Sequence, residues 1–201
     1  MSLPDPQRKA MHAKGPRSAK AAKKEAPVSQ AAPLLAWEDV QAALQFGMGK
    51  TASKVNRSIL TKALHDVLPK TSKQELRRKG ADVALRVQRA LRNAGVEPLI
   101  ALVASAQIVR LVREHDFRTV VRDLLRDAHE SNHRESFRTG YTTALESMWS
   151  AFENGQSLAT GLTLHRERSQ ESTYAKEDPD SYFAGAKQAF DTLSKTYGGA
   201  S

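Results

Sequence analysis

A chain of 201 residues is long enough for one domain with a packed core, and the absence of cysteine excludes disulfides, thiolate metal sites and cysteine nucleophiles. Its net charge of +9 favours a polyanionic partner. The most apolar run, residues 98–112, contains Gln107 and Arg110 and falls short of a membrane span, and the first thirty residues lack the apolar centre of a secretory signal, so a cytoplasmic protein with no membrane partner is expected.

Residues 1–33 hold five of the eight prolines, many Ala and Lys, and few large apolar side chains. Such a stretch cannot bury enough surface to offset its ordering entropy, so a disordered basic arm is expected. Trp37, Val40 and Leu44 share one face of a short helix that stops at Gly47 and Gly49. Val55, Ile59, Leu60, Ala63, Leu64 and Val67 form the stripe of a second helix over about 51–68, with Pro69 just beyond. Ser72 and Glu75 have capping-box spacing and open a third helix, from Lys73 to Asn93 or Ala94, with Gly95 as its stop.

Pro98 suits the first turn of a fourth helix. Apolar residues from Leu99 to Val112 cover almost its whole circumference, which predicts the buried centre of a bundle. Phe117, Val121, Leu124, Leu125 and Ala128 define an amphipathic fifth helix. A sixth spans about 133–153, with Phe137, Tyr141, Ala144, Leu145, Met148 and Phe152 along one side and Asn154-Gly155 at its end. Residues 162–178 are polar and aperiodic, as in a linker. Asp178-Pro179 then opens a last helix within 179–201. In it Phe183, Ala186, Phe190, Leu193 and Tyr197 alternate steps of three and four, an apolar seam for a protein partner. No segment has the period of a strand. The expected fold is all-α: a bundle of about six helices over 34–161, a basic arm, and a C-terminal amphipathic helix on a linker.

The charge is concentrated. Residues 50–92 hold twelve Lys/Arg against three acids. On the third helix Leu76, Val83, Ala84, Val87 and Leu91 form an apolar arc, and Arg78, Lys79, Arg86, Arg89 and Arg92 lie opposite, with Arg77 between. Planar guanidiniums suit phosphate oxygens, and no aromatic side chain interleaves them to stack on bases. The expected nucleic-acid contacts, mostly to the backbone, are Lys50, Lys54, Arg57, Lys73, Arg77, Arg78, Lys79, Arg86, Arg89 and Arg92.

Two short motifs suggest enzymes. His129-Glu130-Ser131-Asn132-His133 has zinc-hydrolase spacing, with both His as ligands and Glu130 as base. Arg118, Arg122 and Arg126 fall on the same helical face and would repel the ion, and Asn132 with Glu135 is a competing helix start that would separate the two His. Gly49-Lys50-Thr51 ends like a phosphate loop, but Leu44 replaces the first glycine and a helix replaces the preceding strand. Read instead as helix, turn and helix, this region offers Thr51, Ser53, Lys54, Asn56 and Arg57 to DNA, although two glycines make the turn long for that motif.

No residue set has the geometry of a catalytic group, so the expectation is a non-enzymatic subunit, without cofactor, that binds RNA or DNA backbone within an assembly of other protein subunits. Alternatives are a helix-turn-helix DNA-binding protein, a protein scaffold, and a zinc hydrolase. In helix content and charge the chain resembles helical small subunits of CRISPR effector ribonucleoproteins and phage or plasmid DNA-handling accessory proteins, a likeness of architecture alone.

Overall fold

A computed structural model of the chain describes residues 34–45 and 55–198. The basic arm and the glycine-rich stretch with Lys50 and Lys54 lie outside the described residues, as does most of the possible helix-turn-helix turn.

Nine α-helices make up the described part: α1 (Trp37–Gln45), α2 (Arg57–Val67), α3 (Lys73–Arg78), α4 (Gly80–Asn93), α5 (Pro98–Glu130), α6 (Glu135–Glu153), α7 (Leu158–Ser169), α8 (Thr173–Glu177) and α9 (Pro179–Tyr197). A 3₁₀ turn over Leu68–Lys70 links α2 to α3. The all-α expectation holds. Among the described residues the one β feature is an isolated bridge between Leu34 and Ser72.

Local chemistry explains most boundaries. The Asn56 side chain accepts from Ser58 N at 2.9 Å, so α2 starts at Arg57, later than expected. Ser72 accepts from Glu75 N at 3.0 Å and starts α3, as its spacing predicts. The Glu75 carboxylate pairs with Arg86. Helices α4 and α6 end where Gly95 and Gly155 adopt φ of 86° and 72°. There Val96 N donates to Leu91 O and Gln156 N to Ala151 O, satisfying carbonyls at each helix end.

Three expected elements differ. The helix from Lys73 to Asn93 breaks at Lys79, whose φ of −128° and ψ of 41° leave the helical region just before Gly80. Conversely, the fourth and fifth helices are one rod of 33 residues, about 50 Å long. The polar run between them, residues 113–116, stays helical because Asp116 is held by partners on other helices. The polar stretch 162–178 is helical too, within α7 and α8, and α9 packs closely on α6.

Two apolar cores result, and α5 lines both. Its first half places Ala101, Ala104, Ile108 and Val112 against Val40, Leu64, Leu76, Val83, Val87 and Leu91. Its second half places Phe117, Val121 and Ala128 against Tyr141, Leu145, Met148, Ala189 and Leu193. Phe117 stacks on Phe152 with centroids 3.9 Å apart and meets Tyr197 edge-on. Helices α6 and α9 approach until their backbones touch: a Cβ on Gly140 would collide with the Tyr182 carbonyl, and one on Gly185 with that of Phe137. The apolar seam expected for a partner is therefore largely internal. Ala186, Leu193 and Tyr197 are buried in the second core, Phe190 is half-buried, and Phe183 is 40% exposed. The first half of α5 is less enclosed than its composition suggested, with Leu99, Leu102 and Val103 65%, 48% and 41% exposed.

Candidate functional site

The expected basic surface separates into two sets. The structural set begins with Arg77, on α3, which donates from Nε and Nη2 to the two oxygens of Asp116 on α5 at 2.6 and 2.9 Å. The Tyr197 hydroxyl of α9 donates to the same carboxylate at 2.7 Å, and the guanidinium lies over the Tyr197 ring. Asp116 is 7% exposed, so three helices meet on one buried carboxylate. Burial alone would lower the pKa of Arg77, but hydrogen bonding to Asp116 and its charge prevail, leaving it above the ordinary value. Burial first, and the Asp116 charge next, push the Tyr197 hydroxyl far up, so it remains a donor. Arg77 is thus a tie between three helices.

Three other expected contacts are committed in part. Lys73 pairs with Asp39 of α1 at 3.0 Å. The Arg86 Nη2 donates to Glu75 at 2.8 Å, fastening α4 to α3. Arg78 donates to the Lys195 carbonyl at 2.7 Å and closes the last turn of α9. The division does not follow the break at Lys79, since Arg86 of α4 is paired while Arg89 and Arg92 of the same helix are not.

The second set is Arg57, Lys79, Arg89 and Arg92. All four are exposed, and none makes an ion pair or hydrogen bond through its side chain among the described residues. Arg89 and Arg92 lie on the outer side of α4 with Leu85, opposite the fully buried Val83, Val87 and Leu91. Their helix is therefore anchored while their head groups stay hydrated. Arg57 begins α2, which packs on α4, and borders a shallow depression with Lys62 and His65. What this face can do chemically is offer exposed cations at fixed spacing; among the described residues no acid, base or nucleophile on it is hydrogen-bonded to another.

His129 lies in the last turn of α5, which ends at Glu130, whereas His133 precedes α6 and rests its ring 4.6 Å from that of Phe137. The break that separates them was expected, but its cap was not: Arg134, not Asn132, occupies the N-cap of α6, with no side-chain bond. Without a continuous helix the pair loses the i, i+4 geometry of the zinc motif. Among the described residues no three His, Asp or Glu side chains cluster as a metal site would.

Two side chains with a buried, unpartnered nitrogen escaped sequence reasoning. His165 of α7 is 2% exposed, stacks on Tyr182 at 5.5 Å, and has an unpartnered Nε2. Burial, then Arg166, hold its pKa below the ordinary imidazole value. Arg113 of α5 lies over the Phe152 ring at 5.5 Å, with Nε buried and unpartnered. The only local signal for either was a polar residue in an amphipathic helix, which also describes a solvated side chain.

No helix among the described residues is long and apolar enough to cross a membrane. Comparison of the chain with protein-family models, with curated proteins and with solved structures finds no match in any of the three.

Proposed function

We propose that the chain is a non-enzymatic subunit that binds nucleic-acid backbone through the outer face of α4, within a larger assembly. The observation that carries this reading is the division among the cations: among the described residues Lys79, Arg89 and Arg92 are unpaired, and they are exposed on or beside a helix whose inner stripe is fully buried. Among the described residues no acid or hydrogen-bond acceptor engages them. Each cation that meets a phosphate releases condensed counterions, so affinity depends steeply on salt. No aromatic side chain stands on this face of α4, so base stacking adds little and sequence preference is weak. The seven Lys/Arg within residues 1–33 add to the same field.

The expected outcome is measurable binding of duplex DNA, single-stranded DNA or RNA at low salt, with small differences between sequences. The double charge reversal Arg89→Glu/Arg92→Glu should weaken it at least tenfold, because each change removes a cation and adds repulsion. Equal binding by the reversed protein and the wild type at moderate salt would refute the assignment. The exposed Leu99, Leu102 and Val103 favour a second reading, a protein scaffold. It predicts no nucleic-acid binding at any salt and loss of a protein partner when Leu99 and Val103 are changed to Asp.

A further inference from the structure

Between the two cores runs a groove of about 820 Å³, with Ala84 of α4, Val109 and Arg113 of α5, Phe152 of α6, Leu158 of α7 and Phe190 of α9 in its walls. Its size lies within the range of roughly 300–1,000 Å³ typical of small-molecule sites, and its walls are mainly apolar. One cation in it, Arg113, has no counter-ion among the described residues. The nearby acids are already engaged: Asp116 by Arg77 and Tyr197, and Glu114 by Arg110 at 2.6 Å. Among the described residues Arg113 makes no ion pair or hydrogen bond through its side chain; it lies over Phe152, and its Nε is buried without a partner. Desolvation holds its pKa below the ordinary arginine value.

A guanidinium with a buried, unpartnered Nε and no acid beside it is costly, and an anion entering the groove would relieve that cost. The fork of N–H donors matches a carboxylate. Arg110 and Glu114 also line the groove but neutralise each other, so one net positive charge beside Val109, Phe152, Leu158 and Phe190 suits a monoanion with a hydrocarbon or aromatic body better than a phosphate chain, which would bring several charges and hydrophilic sugars.

We propose that this groove binds a small organic carboxylate with an apolar body, its carboxylate on Arg113 and its body against Val109, Phe152, Leu158 and Phe190. The site is independent of the outer face of α4.

Octanoate and octan-1-ol, which share a chain and differ in head group, are suitable probes for calorimetric titration of the full chain. Wild type should bind octanoate at least tenfold more tightly than the alcohol. Arg113→Gln should remove that preference and leave the alcohol's affinity almost unchanged. Ala159→Phe, at an exposed position on the rim of the groove, should weaken both ligands by fillings its mouth. No octanoate binding by wild type, equal affinity for the two ligands, or a preference that survives Arg113→Gln would each overturn the proposal. Should Arg113→Gln unfold, chemical-shift mapping on wild type decides: octanoate must move the Arg113 Nε–H and Phe152 ring signals, and shifts elsewhere refute the site.

Discussion

Arg77 and Arg89 are twelve residues apart and chemically identical, yet the structure gives them opposite surroundings. Arg77 neutralises a carboxylate that is nearly inaccessible, so Arg77→Ala would leave Asp116 charged, buried and short of two donors. Removing one partner of such a pair costs about 3–5 kcal/mol. Chemical denaturation should show that loss for Arg77→Ala, whereas Arg89→Ala should stay within ~0.5 kcal/mol of wild type. A second residue-scale consequence concerns acid. His165 has a depressed folded-state pKa, so below the ordinary value near ~6.5 the unfolded chain binds a proton that the folded chain refuses. Its contribution is therefore full above that pH and is lost as pH falls, with a slope of up to about 1.4 kcal/mol per pH unit. His165→Phe, which retains a ring against Tyr182, should make the stability profile flatter between pH 7 and pH 5. An identical profile for both proteins would show that His165 does not contribute to the acid sensitivity.

At the scale of elements, the sequence was most legible where one local signal sufficed. Ser72, Gly95, Pro98, Asn154-Gly155 and Asp178-Pro179 all mark real helix boundaries. It was least legible where a distant partner decided. Residues 113–116 look like a break between helices until Arg77 and Tyr197, 39 and 81 residues from Asp116, supply its hydrogen bonds. Asp116 in turn engages Arg77, and no spacing rule on α3 could have identified that partner. The stretch 162–178 lacks apolar periodicity because α7 buries small and polar residues, Gly161, His165 and Ser169, rather than a row of leucines. Two glycines test the packing account in opposite senses. A Cβ at Gly80 would meet Arg113 Cδ at 3.8 Å and Val109 Cγ1 at 3.9 Å, which is ordinary contact, so Gly80→Ala should stabilise by about 0.4–1 kcal/mol. A Cβ at Gly140 would strike the backbone of α9, so Gly140→Ala should destabilise by ~2 kcal/mol or more. Thermal unfolding of the two variants side by side gives both signs.

For the whole molecule, α9 is part of the bundle. It contributes Ala186, Ala189, Leu193 and Tyr197 to the second core and the Tyr197 hydroxyl to Asp116. A chain ending at residue 178 should therefore lose cooperative unfolding and expose Leu145 and Met148, visible as increased binding of a hydrophobic dye. A helix merely tethered by a linker would leave the remainder intact. The same packing explains how much of the site could be read in advance: clustering of charge on residues 50–92 is a property of composition, but the number of those cations left for a ligand depends on which acids the fold brings to them.

The most direct test of the central claim is the salt dependence of binding to a fixed duplex, measured for wild type and for Arg89→Gln/Arg92→Gln. If both side chains meet phosphates, the slope of log affinity against log salt should fall in magnitude by about 1.8, or ~0.9 per lost contact, while the unfolding midpoint stays unchanged. An unaltered slope in a folded double variant would contradict the assignment of the outer face of α4 to the nucleic-acid backbone.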